Sequence, residues 1–373
     1  MNRRFLILTA GYGEGHNSAA RALKEEGERR GYECLVCDLC AEAMPAAFRW
    51  SKAAYLEIIA CFPWLWRALF DLADNMETVG CPVGLGKIRN RLLNVLDDWC
   101  PDAVLCTFPV YAPMLDDARK RLHRHVPPYV VVITDSLAVS RSWINADPRM
   151  WMVTDERTRQ RLQDNYGLDP ARLAATGFPV SALFCEESIS SWSEGSPFRV
   201  LYLPQAHPPV VECEIEALLA AHPDVHVTVV TGKKNRLYAH LQARVRQDRH
   251  HRVTLLGWVG DMHRLSSSHH LYIGKAGGAS IHECYAICLP AMVNFFVPGQ
   301  EEGNAELLVV ENCGCVVESP SDLKRALRQM LKNGGASWRA MKTSLQIVSR
   351  CGGAGKCWQI VEHIVDHEVL ADR

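Results

Sequence analysis

Short apolar runs alternate with amphipathic, helix-spaced segments along most of this sequence, and that alternation limits the folds open to it more than any other feature. Phe5 to Ala10 precedes Ser18 to Arg30, and Glu33 to Leu39 follows. Ala103 to Phe108 precedes Met114 to His123, and Tyr129 to Thr134 and Met150 to Thr154 lead into Glu156 to Tyr166. Parallel strands need long return connections and are covered on both faces, so runs of this kind predict a parallel sheet with crossover helices. After Gly177-Phe178-Pro179-Val180 the character changes: residues 185–197 are polar, rich in Ser and Glu, and end in Pro197, as a linker does. A second series then begins, with strands near Arg199 to Leu203, Val225 to Thr231, Arg252 to Leu256, Leu271 to Ile273, Ala291 to Phe295 and Gly314 to Val317. Helices separate them, among them Leu237 to Asp248 and Asp322 to Leu331.

The expectation is an α/β protein of two doubly wound, Rossmann-like domains, residues 1–184 and 198–350, joined by the linker and closed by a helix over 351–373 that packs back on the first domain. The 373 residues suffice for two cores of ordinary size. Ligands of doubly wound sheets bind beyond the carboxyl ends of the strands, which places the expected site in a cleft between the two domains.

Charge and cysteine usage narrow the partners. With 41 Lys and Arg against 42 Asp and Glu, the formal net charge is -1, and no bulk positive field recommends nucleic acid. The apolar run after Arg3 and Arg4 is too short for the core of a signal peptide, and charges or prolines interrupt every longer candidate for a membrane span. The chain is expected in the cytoplasm. Fifteen cysteines, an odd number without a secretory signal, suit free thiols better than a disulfide framework. The spacing of Cys34, Cys37 and Cys40 could serve a metal, but the segment reads as a buried strand whose positions 34 and 37 face opposite sides, so no metal site is expected.

Three loops carry candidate chemistry. The first strand runs into Thr9-Ala10-Gly11-Tyr12-Gly13-Glu14-Gly15-His16-Asn17, where glycines permit positive φ and close backbone approach, and the helix start favours anions. Gly13, Gly15 and Asn17 are candidates for a phosphate or acceptor loop. His16 can take a proton from an attacking hydroxyl, or it can simply cap the turn. The second loop, Gly274-Lys275-Ala276-Gly277-Gly278-Ala279-Ser280-Ile281-His282-Glu283, suits a diphosphate, with Lys275 adding a charge. Ser280 and Glu283 could instead form a capping box. The third, Pro298-Gly299-Gln300-Glu301-Glu302-Gly303-Asn304, presents amides and carboxylates suited to sugar hydroxyls, or merely an acidic helix start.

The second and third loops, in that order, resemble the C-terminal half of the monogalactosyldiacylglycerol synthase and processive diacylglycerol glucosyltransferase family. Gly15-His16, Thr134-Asp135, Trp143, Gly177-Phe178-Pro179-Val180, Thr231-Gly232-Lys233-Lys234-Asn235-Arg236 and Leu256-Gly257-Trp258-Val259 resemble further family motifs, so the likeness covers nearly the whole chain. It implies the two-domain glycosyltransferase B architecture and an inverting transfer from a UDP-sugar to a lipid or lipid-linked acceptor, without an obligatory metal or cofactor. Carried over by position, Glu283 would bind the ribose hydroxyls, Trp258 and Val259 the base, and Gly277, Gly278 and Ala279 the diphosphate. Gln300, Glu301 and Asn304 would contact the sugar. His16 would be the catalytic base, with Asp135 as the reserve. Two departures stand out: Ser136 to Ser142 lacks the histidine that the family usually carries before the tryptophan, and Leu203 to Pro209 replaces a glycine-rich turn with prolines.

Residues 44–70 mix aromatic and aliphatic side chains with Arg49, Lys52 and Arg67, a composition suited to a lipid interface through Trp64 and Trp66, or to an ordinary core helix pair broken at Pro63. The interfacial reading puts the protein peripherally on the inner face of a membrane. The alternatives are a UDP-sugar epimerase of the same architecture and a non-catalytic sugar-nucleotide sensor.

Overall fold

The computed structural model describes residues 2–75, 85–189, 191–245 and 251–371. The chain divides into two compact units. Residues 1–182, 297–303 and 352–373 form the first, and residues 183–296 and 304–351 the second.

The first unit runs β1 (Arg4–Leu8), α1 (Glu14–Arg29), β2 (Glu33–Cys37), α2 (Leu39–Ala43), α3 (Pro45–Cys61), α4 (Pro63–Asn75), α5 (Gly86–Trp99), β3 (Ala103–Cys106), α6 (Tyr111–Lys120), β4 (Tyr129–Val132), β5 (Met150–Val153), α7 (Glu156–Tyr166) and β6 (Leu173–Ala175). All its strands pair in parallel, in the order β2-β1-β3-β4-β5-β6. Alternate residues of β1 feed two cores, as the period of a strand requires. Leu6 and Leu8 join Leu92, Val95 and Met114 on one face, while Phe5 and Ile7 join Leu23, Trp358 and Val361 on the other. The stripe Ile88, Leu92, Val95 and Leu96 explains α5, which the strand-helix alternation leaves unassigned.

After the short helix α8 (Ala182–Cys185), the second unit carries β7 (Phe198–Tyr202), α9 (Pro208–Leu219), β8 (Val225–Val230), α10 (Asn235–Val245), β9 (Val253–Leu256), α11 (Met262–Ser267), β10 (Leu271–Lys275), α12 (Gly278–Ala286), β11 (Ala291–Phe295), α13 (Glu302–Val310), β12 (Gly314–Val316) and α14 (Pro320–Val348). The last part of the helix expected to reach Asp248 lies outside the described residues, as does Ser190 of the linker. The sheet is again parallel, in the order β12-β11-β10-β7-β8-β9. Helix α14 extends well past Leu331 but breaks at residues 332–335, where Asn333, Gly334 and Gly335 take positive φ.

The chain ends in α15 (Gly353–Ala371), which belongs to the first unit and packs on α1. Its anchor is Trp358, fully buried, edge-on to Phe5 at 4.7 Å and donating its indole N–H to the Leu23 carbonyl at 2.8 Å. Gly27 makes room for that indole: a Cβ there would lie 2.4 Å from Trp358 Cζ2. Trp358→Ala removes a buried aromatic and is expected to lower stability by about 3–5 kcal/mol, read from the midpoint of urea unfolding.

Candidate active site

In the first unit the strand order reverses between β1 and β3, the place where a doubly wound sheet opens a crevice at its carboxyl edge. His16 sits there. Helix α1 starts at Glu14 with Gly13 as N-cap, so His16 lies in the first helical turn rather than in the loop before it. Its Nδ1 is 2.9 Å from the Thr107 carbonyl and 3.0 Å from Thr134 Oγ1. A carbonyl only accepts, so the neutral ring carries its hydrogen on Nδ1 and has its basic lone pair on Nε2. Phe108 and Trp143 flank the ring at 5.1 and 5.8 Å, and the residue is buried.

The neighbouring candidates fasten this turn. Gly11 N–H donates to Asp38 at 2.8 Å, and Asn17 Oδ1 accepts from the Thr9 hydroxyl at 3.0 Å. Gly15 lies in the first turn of α1, and a Cβ on Gly13 would meet nothing within 4 Å. Gly13 has φ -146° and Gly277 φ -68°, ordinary values, so neither takes the left-handed conformation expected of such turns, and Gly13 leaves its backbone uncovered.

Beyond β4, Asp135 accepts a hydrogen bond from the buried Trp143 indole at 2.7 Å. Burial pushes its carboxyl up to about 7; the Trp143 bond opposes this and the nearby Glu301 carboxylate adds to it. Leu137 follows with φ +53°, a strained value for a branched side chain, and its N–H is held by Thr158 Oγ1 at 2.9 Å. Against this bend lies Gly303, where a Cβ would sit 1.8 Å from the Ser136 carbonyl oxygen.

The 297–303 turn therefore belongs to the first unit, although the sequence places it with the donor-binding half. Gly299 has φ +77° and faces Phe70, and Gln300 Oε1 accepts from the Tyr55 hydroxyl at 3.0 Å. Glu301 is buried and accepts from its own turn at Val297 N.

In the second unit the order reverses between β7 and β10, and Lys275 ends β10 at a bulge. Gly274 permits that bulge, because a Cβ there would meet the Tyr272 hydroxyl at 2.6 Å. Lys234 lies close by. Burial lowers its pKa, and the Lys275 charge lowers it further. Lys234 Nζ donates to the Pro204 carbonyl at 2.7 Å and to Gln205 at 3.2 Å, so the proline-rich loop is held through carbonyls in place of the N–H groups it lacks.

Helix α12 has Gly277 as N-cap with no side-chain cap, which overturns the capping-box alternative. Ser280 is its third residue and Glu283 lies in its second turn, so Ser280 is not the N-cap and Glu283 is not three residues beyond it. The N–H groups of Gly278 and Ala279 open the helix towards the carboxyl edge of the sheet. Asn304 is buried and donates to the Ala276 carbonyl at 3.0 Å, so it braces this loop from within. Trp258 follows the edge strand β9, three strands and roughly 14 Å from β10. It is 67% exposed, with Lys233 Nζ 4.6 Å from its ring centre and Val259 half-buried beside it.

The two tryptophans expected at a lipid interface part company. Trp64 is 70% exposed, whereas Trp66 is half-buried and stands edge-on to Tyr55 at 4.9 Å. Among the described residues, Trp50 at 79%, Phe62, Leu69 and Leu72 are the other exposed large apolar side chains of α3, α4 and the joint between them. Thr107, Thr134, Tyr55 and Lys234 are site neighbours to which the sequence assigned no role of their own. Among the described residues, no group of three or more His, Cys, Asp or Glu is placed to hold a metal. Burial raises the Cys34 thiol to about 12 and the Cys37 thiol to about 11.

Residues 16–180 match the family model of monogalactosyldiacylglycerol (MGDG) synthase, and residues 208–350 match the glycosyltransferase family 28 C-terminal domain. The processive diacylglycerol beta-glucosyltransferase of Bacillus subtilis is 27% identical over 353 residues, covering 91% of this chain and 90% of that protein. Its namesake from Bacillus mycoides is 26% identical over 383 residues, covering 100% and 94%. Among solved structures, MurG of Acinetobacter baumannii superposes with a TM-score of 0.59 at 15% identity, covering 98% of each chain. MnaA of Staphylococcus aureus, solved with UDP, gives 0.61 at 14% identity, covering 99% of this chain and 97% of that one. These two share the fold, of the glycosyltransferase B type; the sequence relatives carry the function and favour a transferase over an epimerase or a sensor. The first half of the chain thus matches the MGDG synthase family and the second the glycosyltransferase family 28 C-terminal domain, and the chain is a UDP-sugar-dependent glycosyltransferase.

Proposed function

We propose that this enzyme transfers a hexose, with inversion, from its UDP-sugar to the hydroxyl of a diacylglycerol-type lipid, and that His16 is the general base. The observation that carries the reading is the clamp on His16: with the Nδ1 hydrogen committed to Thr107, the basic nitrogen of a buried ring is fixed in place. The acceptor oxygen bonds to the anomeric carbon as its proton passes to Nε2. The bond from that carbon to the diphosphate oxygen breaks, and the electron pair leaves with UDP. Backbone N–H groups at the start of α12, with Lys275, stabilise the diphosphate without an obligatory metal. Glu283 binds the ribose, Trp258 and Val259 lie against the base, and Gln300 grips the sugar. Glucose and diacylglycerol come from the names of the relatives.

The exposed Trp50, Phe62, Trp64, Leu69 and Leu72 support a lipid-facing surface on α3 and α4. Among the described residues, no helix is long and apolar enough to cross a membrane, so contact would be peripheral.

Incubating the protein with UDP-glucose or UDP-galactose and diacylglycerol vesicles in EDTA is expected to yield glycolipid with inverted anomeric configuration. Free sugar isomers instead of glycolipid would point to an epimerase, and rescue by magnesium would overturn the metal-free assignment.

His16→Ala is expected to lower turnover roughly 10² to 10⁴-fold at saturating donor, with UDP-sugar affinity nearly unchanged. Asp135 is the rival proton acceptor, since a carboxyl titrating at about 7 is protonated below that pH and basic above it. Near-normal turnover for His16→Ala, together with loss for Asp135→Asn and a parent rate that rises with pH through about 7, would transfer the role to the carboxylate.

Replacing Trp50 and Trp64 together by Ser is expected to reduce co-sedimentation with anionic vesicles and leave UDP affinity unchanged. Equal sedimentation of variant and parent would remove the lipid-facing role from α3 and α4.

A further inference from the structure

The hydroxyl of Tyr55 on α3 donates to Gln300 Oε1 at 3.0 Å. A primary amide is planar, with one acceptor oxygen and two N–H donors, so holding Oε1 on one side turns Nε2 to the other. We propose that Tyr55 is a positioning residue for the donor sugar: it fixes the Gln300 amide with its N–H groups presented to the sugar hydroxyls. This rests on the reading of the 297–303 turn as the sugar grip, and it assigns an orienting residue from outside that turn.

Three observations support it. The Tyr55 ring is fixed by edge contacts with Trp66 at 4.9 Å and Tyr12 at 6.4 Å, so its hydroxyl occupies a defined point. The turn is seated on the same helix pair, with Phe70 against Gly299 and Arg67 paired with Glu302, so donor and acceptor of the hydrogen bond move as one group. Burial, then the charges of Glu301 and Asp135, push the Tyr55 phenol upwards, so it stays a neutral donor across the pH range in which a histidine base works. An amide free to flip would offer its oxygen as readily as its nitrogen to a given hydroxyl. A fixed one distinguishes donors by where their hydroxyls point.

The test compares UDP-glucose with UDP by calorimetry. Tyr55→Phe keeps the ring and removes only the hydrogen bond. It is expected to weaken UDP-glucose binding about 5- to 10-fold, with UDP affinity and melting temperature unchanged. Gln300→Ala is expected to give a similar or larger loss on UDP-glucose alone, and Tyr55→Phe added to it no further loss. Loss for Gln300→Ala with parental binding for Tyr55→Phe would refute the positioning role while sparing the sugar grip. Parental binding for both variants would refute the sugar grip, and the proposal with it. Equal losses on UDP and UDP-glucose for Tyr55→Phe would show a general packing role and overturn the proposal.

Discussion

Gly303 meets the Ser136 carbonyl with no room for a side chain, and the seating of the 297–303 turn in the first unit depends on that contact. The chain leaves the second unit after Phe296 and returns to it at Asn304, and the seven residues between belong to the first. Because backbone can approach backbone there, Glu301 lies near Asp135 and adds its charge to the burial that raises the carboxyl. Gln300 is brought to Tyr55 by the same seating. Even a methyl group at 303 would push on the strained bend at Leu137, two residues beyond Asp135.

The two parallel sheets solve one problem twice. Each strand order reverses once, β1 against β3 and β7 against β10, and each reversal leaves a carboxyl edge where a helix begins at a glycine N-cap. Around these edges the chemistry differs. The first holds an imidazole whose tautomer is set by a backbone carbonyl; the second holds a helix start without a side-chain cap near two lysines.

The aromatic segment resolves into two faces with different surroundings. Tyr55, Trp66 and Phe70 turn inward to the 297–303 turn, while Trp50, Phe62 and Trp64 stay exposed. Composition cannot separate these, because both sets are aromatic and interleaved within one helix pair. Trp64 and Trp66 differ only in which side of α4 they occupy.

The sequence alone determined the α/β class, the parallel order of strands and helices and the family likeness, because period, turn chemistry and motif spacing are local properties of the chain. It also brought out His16, Glu283 and the glycine loops. Only the tertiary structure decided that Ser280 and Glu283 form no capping box, that Asn304 braces the loop from within, and that the 297–303 turn joins the first unit. Those outcomes hang on where the helix starts and on contacts between residues 28 to 245 positions apart, such as Asn304 with Ala276 and Gln300 with Tyr55. No local pattern encodes such pairings; they exist only once both partners are folded.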